Sequence, residues 1–259
     1  MGPGIVTAIF AEARILSRGP IAPGEVLHLP EGALMLLSGM GADRARLAAR
    51  FLLEKKAAAL VSWGSAGGLL PGLSAGSLIL PERIIASDQS VYRVDPIWHE
   101  RLSSQLKGYL DLHKGALAES PVVLATCGAK SILFGRTGAI AVDMESASIA
   151  LVAKEAGIPF AAIRAVTDAA EMNIPRSALS SIDEFGRVRL SRLLLGLVRR
   201  PVELRGLVRL GRNFQAARAT LTTVARHAGS NLLFPWIGEE TVFRQRTLTE
   251  PAAQKGKKP

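Results

Sequence analysis

Residues 57–81 read AAALVSWGSAGGLLPGLSAGSLILP, and the reading of this uncharged stretch decides the fold. It is long enough to cross a bilayer as a helix. It also holds five glycines, two prolines and four serines, a density of breakers that a continuous spanning helix does not carry. The reading that remains is a buried strand over 57–62, a glycine-rich loop, and another strand over 78–80.

Outward from there, short apolar runs alternate with helical patterns. GIVTAIF (4–10) is a first strand, and a helix begins near Glu12. Strands over 25–29 and 33–38 flank Pro30, Glu31 and Gly32. SGMGADRARLAARFLLEKK (38–56) passes from a glycine turn into a helix with Leu47, Phe51 and Leu52 on one side. Strands follow around 78–87, then a helix near 97–107. PVVLATC (121–127), GAIAVDM (138–144) and FAAIRAV (160–166) read as strands. ESASIALVAKEAG (145–157) is a helix that stops at Gly157, with Pro159 just beyond. A helix over about 179–199 closes the set. Strands that are nearly continuous apolar runs belong to a sheet covered on both faces, so the fold class is α/β.

Composition agrees. Hydrophobic residues make up 48% and charged residues 21%, enough for a large core and too apolar for general disorder. Cys127 stands alone, which excludes a disulfide framework and a cysteine zinc site within one chain. It reads as a small core residue at a strand end. Four histidines lack ligand spacing, so no metal is expected. Trp63 and Trp98 read as packing residues. The N-terminus lacks the basic and apolar regions of a signal peptide, and a cytoplasmic location is expected. Charge is uneven. Residues 1–186 hold 17 Lys/Arg against 18 Asp/Glu, a net of −1, while residues 187–259 hold 15 against 4, a net of +11.

In such sheets ligands bind where loops leave strand ends. Glu12, Ser65, Asp143, Glu145, Thr167 and Asp168 all stand there. For an acid at a strand end, helix capping is the alternative.

At this point four motifs resemble one family in order. AVDMESASIA (141–150) resembles the signature of purine nucleoside phosphorylases and methylthioadenosine/S-adenosylhomocysteine nucleosidases. RAVTDAA (164–170) resembles their late aspartate motif, WGSAGGLLPGLSAGSLIL (63–80) their glycine-rich loop, and AIFAEARIL (8–16) the nucleosidases' N-terminal segment. The resemblance implies a three-layer α/β/α sandwich with a mixed, partly barrel-like sheet. It implies that Asp168 protonates or hydrogen-bonds purine N7 and that Glu145 holds the ribose hydroxyls. Met144 packs on the sugar, Glu12 positions or activates water, and Ser65 and Thr167 lie beside them. No cofactor is implied. Cleaving an N-glycosidic bond passes through an oxocarbenium-like sugar, so one group must neutralise the departing base and another must serve the nucleophile.

A phosphorylase needs cationic donors for phosphate, and the family's arginine before the glycine-rich loop is missing from Val61–Ser65. Glu12 also repels phosphate. Arg44 and Arg46 keep phosphate open as a co-substrate. The sequence departs from the small-substrate nucleosidases by Asp143, where they often carry glutamate, and by an extension.

We divide the chain into a catalytic domain, 1–200, and a basic amphipathic extension, 201–259, with a disordered AAQKGKKP tail. Residues 187–226 hold ten arginines and one acid, Glu203, interleaved with apolar runs, and NLLFPWIG (231–238) follows. That is the composition of an interfacial membrane segment. It resembles the hopanoid-associated members, which act on adenosylhopane, a nucleoside joined to a lipid. The leading expectation is therefore a lipid-linked purine nucleoside cleaved at an anionic membrane surface. The alternatives are a soluble methylthioadenosine/S-adenosylhomocysteine nucleosidase, and a non-catalytic nucleic-acid-binding protein using its arginines. Related enzymes are commonly homodimers or larger.

Overall fold

The computed structural model describes residues 2–235. The AAQKGKKP tail and the end of NLLFPWIG lie outside the described residues.

The apolar runs form strands because their side chains divide between two buried faces. In β1 (Gly4–Thr7) and β3 (Leu34–Leu37) every residue is buried. Val6, Leu34 and Leu36 enter one core; Ile5, Met35 and Leu37 enter the other. Along β4 (Leu60–Gly68) and β11 (Phe160–Asp168), Leu60 and Ala162 face the first core, and Val61, Trp63, Ala161 and Ile163 face the second. Helices α2 (Ala42–Glu54) and α5 (Ser146–Ala156) close the first core. Helices α1 (Phe10–Leu16), α3 (Pro96–Leu106) and α8 (Leu204–Ala228) close the second. The result is a three-layer α/β/α sandwich.

The sheet has eleven strands among the described residues and is mixed. Its main path begins with β2 (Val26–His28), β3, β1 and β4. It continues through β10 (Ala141–Asp143), β9 (Ala116–Glu119), β6 (Arg83–Ile85) and β7 (Val91–Arg93). Strand β11 runs parallel to β4 and leads to β5 (Leu78–Ile79) and β8 (Leu112–His113). Strand β4 is thus the hub, paired with β1, β10 and β11. Residues 57–81 supply β4, a turn and β5, and among the described residues no helix is long and apolar enough to cross a membrane.

The structure corrects several expectations. Half of the expected glycine-rich loop is strand, because Gly67 and Gly68 pair antiparallel with Val142 and Ala141. PVVLATC is not a strand. Val122 and Val123 are exposed, and Thr126 caps α4 (Cys127–Thr137) by accepting from the Ala129 amide at 3.2 Å. Cys127 is therefore a half-buried first-turn residue rather than a core one. The helix expected over 179–199 is two, α6 (Arg176–Ser181) and α7 (Leu190–Arg199). Between them Asp183 accepts from the Phe185 and Arg187 amides, closing a turn that Gly186 completes at φ 73°. In α2 an alanine stripe, Ala45, Ala48 and Ala49, is buried with Leu52, and Leu47 faces out.

The expected domain boundary near residue 200 falls between α7 and α8. Yet Ala217, Leu221 and Val224 of α8 are core residues, and Thr220 donates to Gly76 O at 2.5 Å. Beyond α8, Leu232 O accepts from Trp98 Nε1 at 2.6 Å.

Candidate active site

One cavity of about 530 Å³ gathers Glu12, Ser65, Met144, Glu145, Thr167 and Asp168. The six side chains expected at the site therefore share one chamber. Ser65 comes from β4, Thr167 and Asp168 from the end of the parallel β11, Met144 and Glu145 from just after the antiparallel β10, and Glu12 from α1 after β1.

Glu12 is buried on α1, directly after β1. Its Oε1 accepts from the Ser65 amide at 2.8 Å and from the Ser65 hydroxyl at 2.6 Å. Burial pushes its pKa up, against the pull of Arg164 and the Ser65 hydrogen bonds. The approach depends on Gly64, at φ 154°, where a Cβ would lie 2.5 Å from Glu12 Oε2 and 2.6 Å from Arg164 Nη1.

Glu145 precedes the first helical residue of α5, yet its side chain makes no cap. Instead Asp143 takes that task, accepting from the Ser146 amide at 3.2 Å. Glu145 Oε1 accepts from the Gly41 amide at 2.9 Å. Its pKa is raised to about 7 by burial and by the neighbouring Asp143 carboxylate. Capping does not account for Asp168 either, since it ends β11 and the next helix begins at Arg176. The register of β11 against β4 slips between Val166 and Asp168, a bulge at Thr167 that re-aims the aspartate. Thr167 Oγ1 lies 2.8 Å from Asp168 Oδ1 and 3.2 Å from Ala66 O. Burial raises the Asp168 pKa, opposed by Lys130.

Two buried cations escaped the sequence reading. Arg164 Nη2 sits 2.6 Å from Asp143 Oδ2 and 3.9 Å from Glu145 Oε2, and donates to Ser62 Oγ at 2.5 Å. Its signal was available: a lone charge inside the apolar run FAAIRAV demands a buried partner. Lys130 Nζ lies 2.5 Å from Asp168 Oδ2. Nothing in GAKSILFG marks that lysine as buried, and no element was expected over 128–137. Neither Arg44 nor Arg46 lines the cavity; Arg44 is exposed and Arg46 pairs with Asp43 at 2.6 Å.

Beyond the acids the cavity turns apolar. Leu179 and Ile182 at the end of α6, Leu193 of α7, and Leu207 and Phe214 of α8 form the far wall. Polar groups that orient and an apolar wall that encloses are the make-up of a small-molecule site.

Known proteins resemble this chain in sequence and in fold. Residues 31–199 match the family model of the phosphorylase superfamily. A 5′-methylthioadenosine/S-adenosylhomocysteine nucleosidase of Listeria monocytogenes is 30% identical over 216 residues, covering 70% of this chain and 91% of that protein. A nucleosidase of the same name from Buchnera aphidicola is 30% identical over 155 residues, 52% of this chain; the chain spans 62% of that relative's length. The crystal structure of the Neisseria meningitidis nucleosidase in complex with methylthio-immucillin-A has the same fold, with TM-score 0.65, 18% identity, and coverage of 89% and 97% of the two chains. With more than half of its length matched by the family model, this chain belongs to the phosphorylase superfamily.

Proposed function

We propose that the protein hydrolyses the N-glycosidic bond of a purine nucleoside that carries an apolar 5′ group. The observation that carries the reading is the one cavity that holds a buried Asp168, its pKa raised by burial, together with a Glu12–Ser65 pair. In this reading Asp168 gives its proton to purine N7, and the C1′–N9 electron pair leaves with the base. Water bound by Glu12 and Ser65 attacks C1′ and passes a proton to Glu12. Glu145 accepts from the ribose hydroxyls, and Met144 packs on the sugar. Water is favoured over phosphate because Arg164 is held by Asp143, and Arg44 and Arg46 stand off the cavity.

The apolar wall of α6, α7 and α8 supports a long hydrocarbon 5′ substituent, as in adenosylhopane. A second feature supports delivery from a bilayer. Helix α7 has no buried residue; Leu190, Leu194 and Val198 form an exposed stripe, and Arg189, Arg192 and Arg199 are exposed as well. Such a face lies in an anionic membrane interface, where each basic side chain contributes on the order of 1 kcal/mol. The second reading, a nucleosidase for methylthioadenosine and S-adenosylhomocysteine, is favoured by the names of the similar proteins.

Adenine release from adenosine, methylthioadenosine and a lipid-linked adenosine, with and without phosphate, tests the proposal. Faster turnover of the lipid-linked substrate supports the first reading, and preference for methylthioadenosine supports the second. No adenine from any of them rejects both. Co-sedimentation with anionic but not neutral vesicles, weakened by salt, is expected of the docking face. Equal and negligible binding, with a dimer in solution, assigns the stripe to a second copy of the chain instead.

A further inference from the structure

The reaction as described gives Lys130 no task. It lies near the start of α4 and is fully buried. Its ammonium donates to Asp168 Oδ2 at 2.5 Å, to Ala169 O at 2.7 Å and to Met172 O at 3.0 Å. Three hydrogens meet three acceptors, so the ammonium keeps no hydrogen for a ligand. Whatever it does in the cavity, it does through Asp168.

We propose that Lys130 is a positioning residue that fixes Asp168 by Oδ2 and stabilises the carboxylate left after the proton has gone to the base. The proposal rests on the N-glycosidic reading. Lys130 leaves Oδ1 as the oxygen that carries the proton, and Thr167 accommodates both states of that oxygen. The Thr167 hydroxyl has one hydrogen and two acceptors in reach, Asp168 Oδ1 at 2.8 Å and Ala66 O at 3.2 Å. It donates to Oδ1 when Asp168 is ionised, and turns to Ala66 O when Oδ1 is protonated. In the step itself the Oδ1–H proton passes to N7 and the C1′–N9 pair goes to the purine. The new carboxylate stays against the ammonium. Water's oxygen bonds to C1′, and its released proton goes to Glu12, so proton and charge balance.

Two opposed influences make this useful. Burial alone would hold the Asp168 proton too tightly to release, and an ammonium alone would strip it before substrate bound. Both act on Asp168 here, together with the Thr167 hydrogen bond. The other charged group bearing on Lys130 is the exposed Glu171, in the loop after β11. A structural ion pair that merely ties α4 to that loop would show the same distances, and the leaving group separates the two roles. A purine must be protonated to leave, whereas p-nitrophenolate leaves unaided.

The test compares native enzyme, Lys130→Met and Lys130→Arg on adenosine and on p-nitrophenyl riboside. Lys130→Met is expected to lower kcat on adenosine by roughly 10²-fold with KM little changed, the size of a general-acid contribution. Its alkaline limb should move to higher pH, because Asp168 loses its counter-ion and holds its proton longer. On p-nitrophenyl riboside it should lose no more than about threefold, well below a general-acid effect. Lys130→Arg keeps the charge and should keep the native limb. If the methionine variant does not fold, Lys130→Gln replaces it in the same comparison. Equal losses on both substrates, with an unmoved alkaline limb, overturn the proposal and leave Lys130 a structural tie. Native enzyme that releases no adenine from adenosine, methylthioadenosine or a lipid-linked adenosine overturns the N-glycosidic reading beneath it; where only a 5′-substituted nucleoside is cleaved, that nucleoside replaces adenosine in the comparison.

Discussion

At one end of the cavity a single carboxylate, Asp168, meets a single cation, Lys130; at the other, Glu12, Asp143 and Glu145 gather around Arg164 alone. The first arrangement is balanced, and it suits a group that must hold one proton and give it up. The second has an excess of acid. Arg164 satisfies Asp143 most closely, and the remaining carboxylates share its field at a distance. Burial first, and then the neighbouring Asp143 carboxylate, raises Glu145 to about 7. Such an excess favours a cationic sugar and disfavours a phosphate. The cavity therefore carries two electrostatic arrangements, which the proposed reaction would use for the leaving base and for the sugar and its nucleophile.

The sharpest way to break this contrast is Asp168→Asn. An amide cannot give up the proton, so kcat on adenosine should fall by roughly 10² to 10⁴. Retention of native turnover in steady-state assays would remove Asp168 from the mechanism. Glu12→Gln attacks the other end. It should cost roughly 10²- to 10³-fold as a lost general base, and added phosphate should not restore the rate. Rescue by phosphate would make Glu12 a repulsive neighbour rather than a base.

Glu145→Gln should cost about 10- to 100-fold, the worth of hydrogen bonds to a charged group. It also has a pH signature. Native kcat/KM should rise with pH through about 7 as Glu145 ionises, and the glutamine variant should lose that limb. Stability changes in the opposite sense. The folded protein holds this proton above its ordinary value of 4.5, so the group stabilises most below 4.5. That contribution is lost as pH rises through about 7. Thermal unfolding of the glutamine variant should therefore depend less on pH across that window. The smallest effect is expected of Ser65→Ala. It removes a hydrogen bond worth about 1 kcal/mol from Glu12, so the loss should be severalfold in kcat.

The strands were legible because apolar runs such as GIVT and FAAIRAV have no other stable fate than a covered sheet. The acids were legible because each ends such a run. What failed depended on tertiary context. PVVLATC has a strand's composition, but its valines stand exposed beside the cavity mouth and its last residues start a helix. The apolar content of α6 and α7 runs on without a gap, so the Asp183 turn that divides them was hidden in a helical pattern. Lys130 was invisible because its burial follows from α4, and no element was expected over 128–137. Basic composition also concealed that α8 buries Leu221 and Val224 in the second core. Truncation after residue 200 would strip those side chains, so the membrane role of the basic region is better examined by arginine substitutions on α7.

In the proposed reaction, water held at the acid-rich end replaces the purine on C1′. The most direct test is to run the reaction on adenosine in ¹⁸O-water with excess phosphate and identify the sugar product by mass spectrometry. Free ribose carrying one ¹⁸O atom at C1, together with adenine, is the expected product. Ribose 1-phosphate without the label would contradict attack by water.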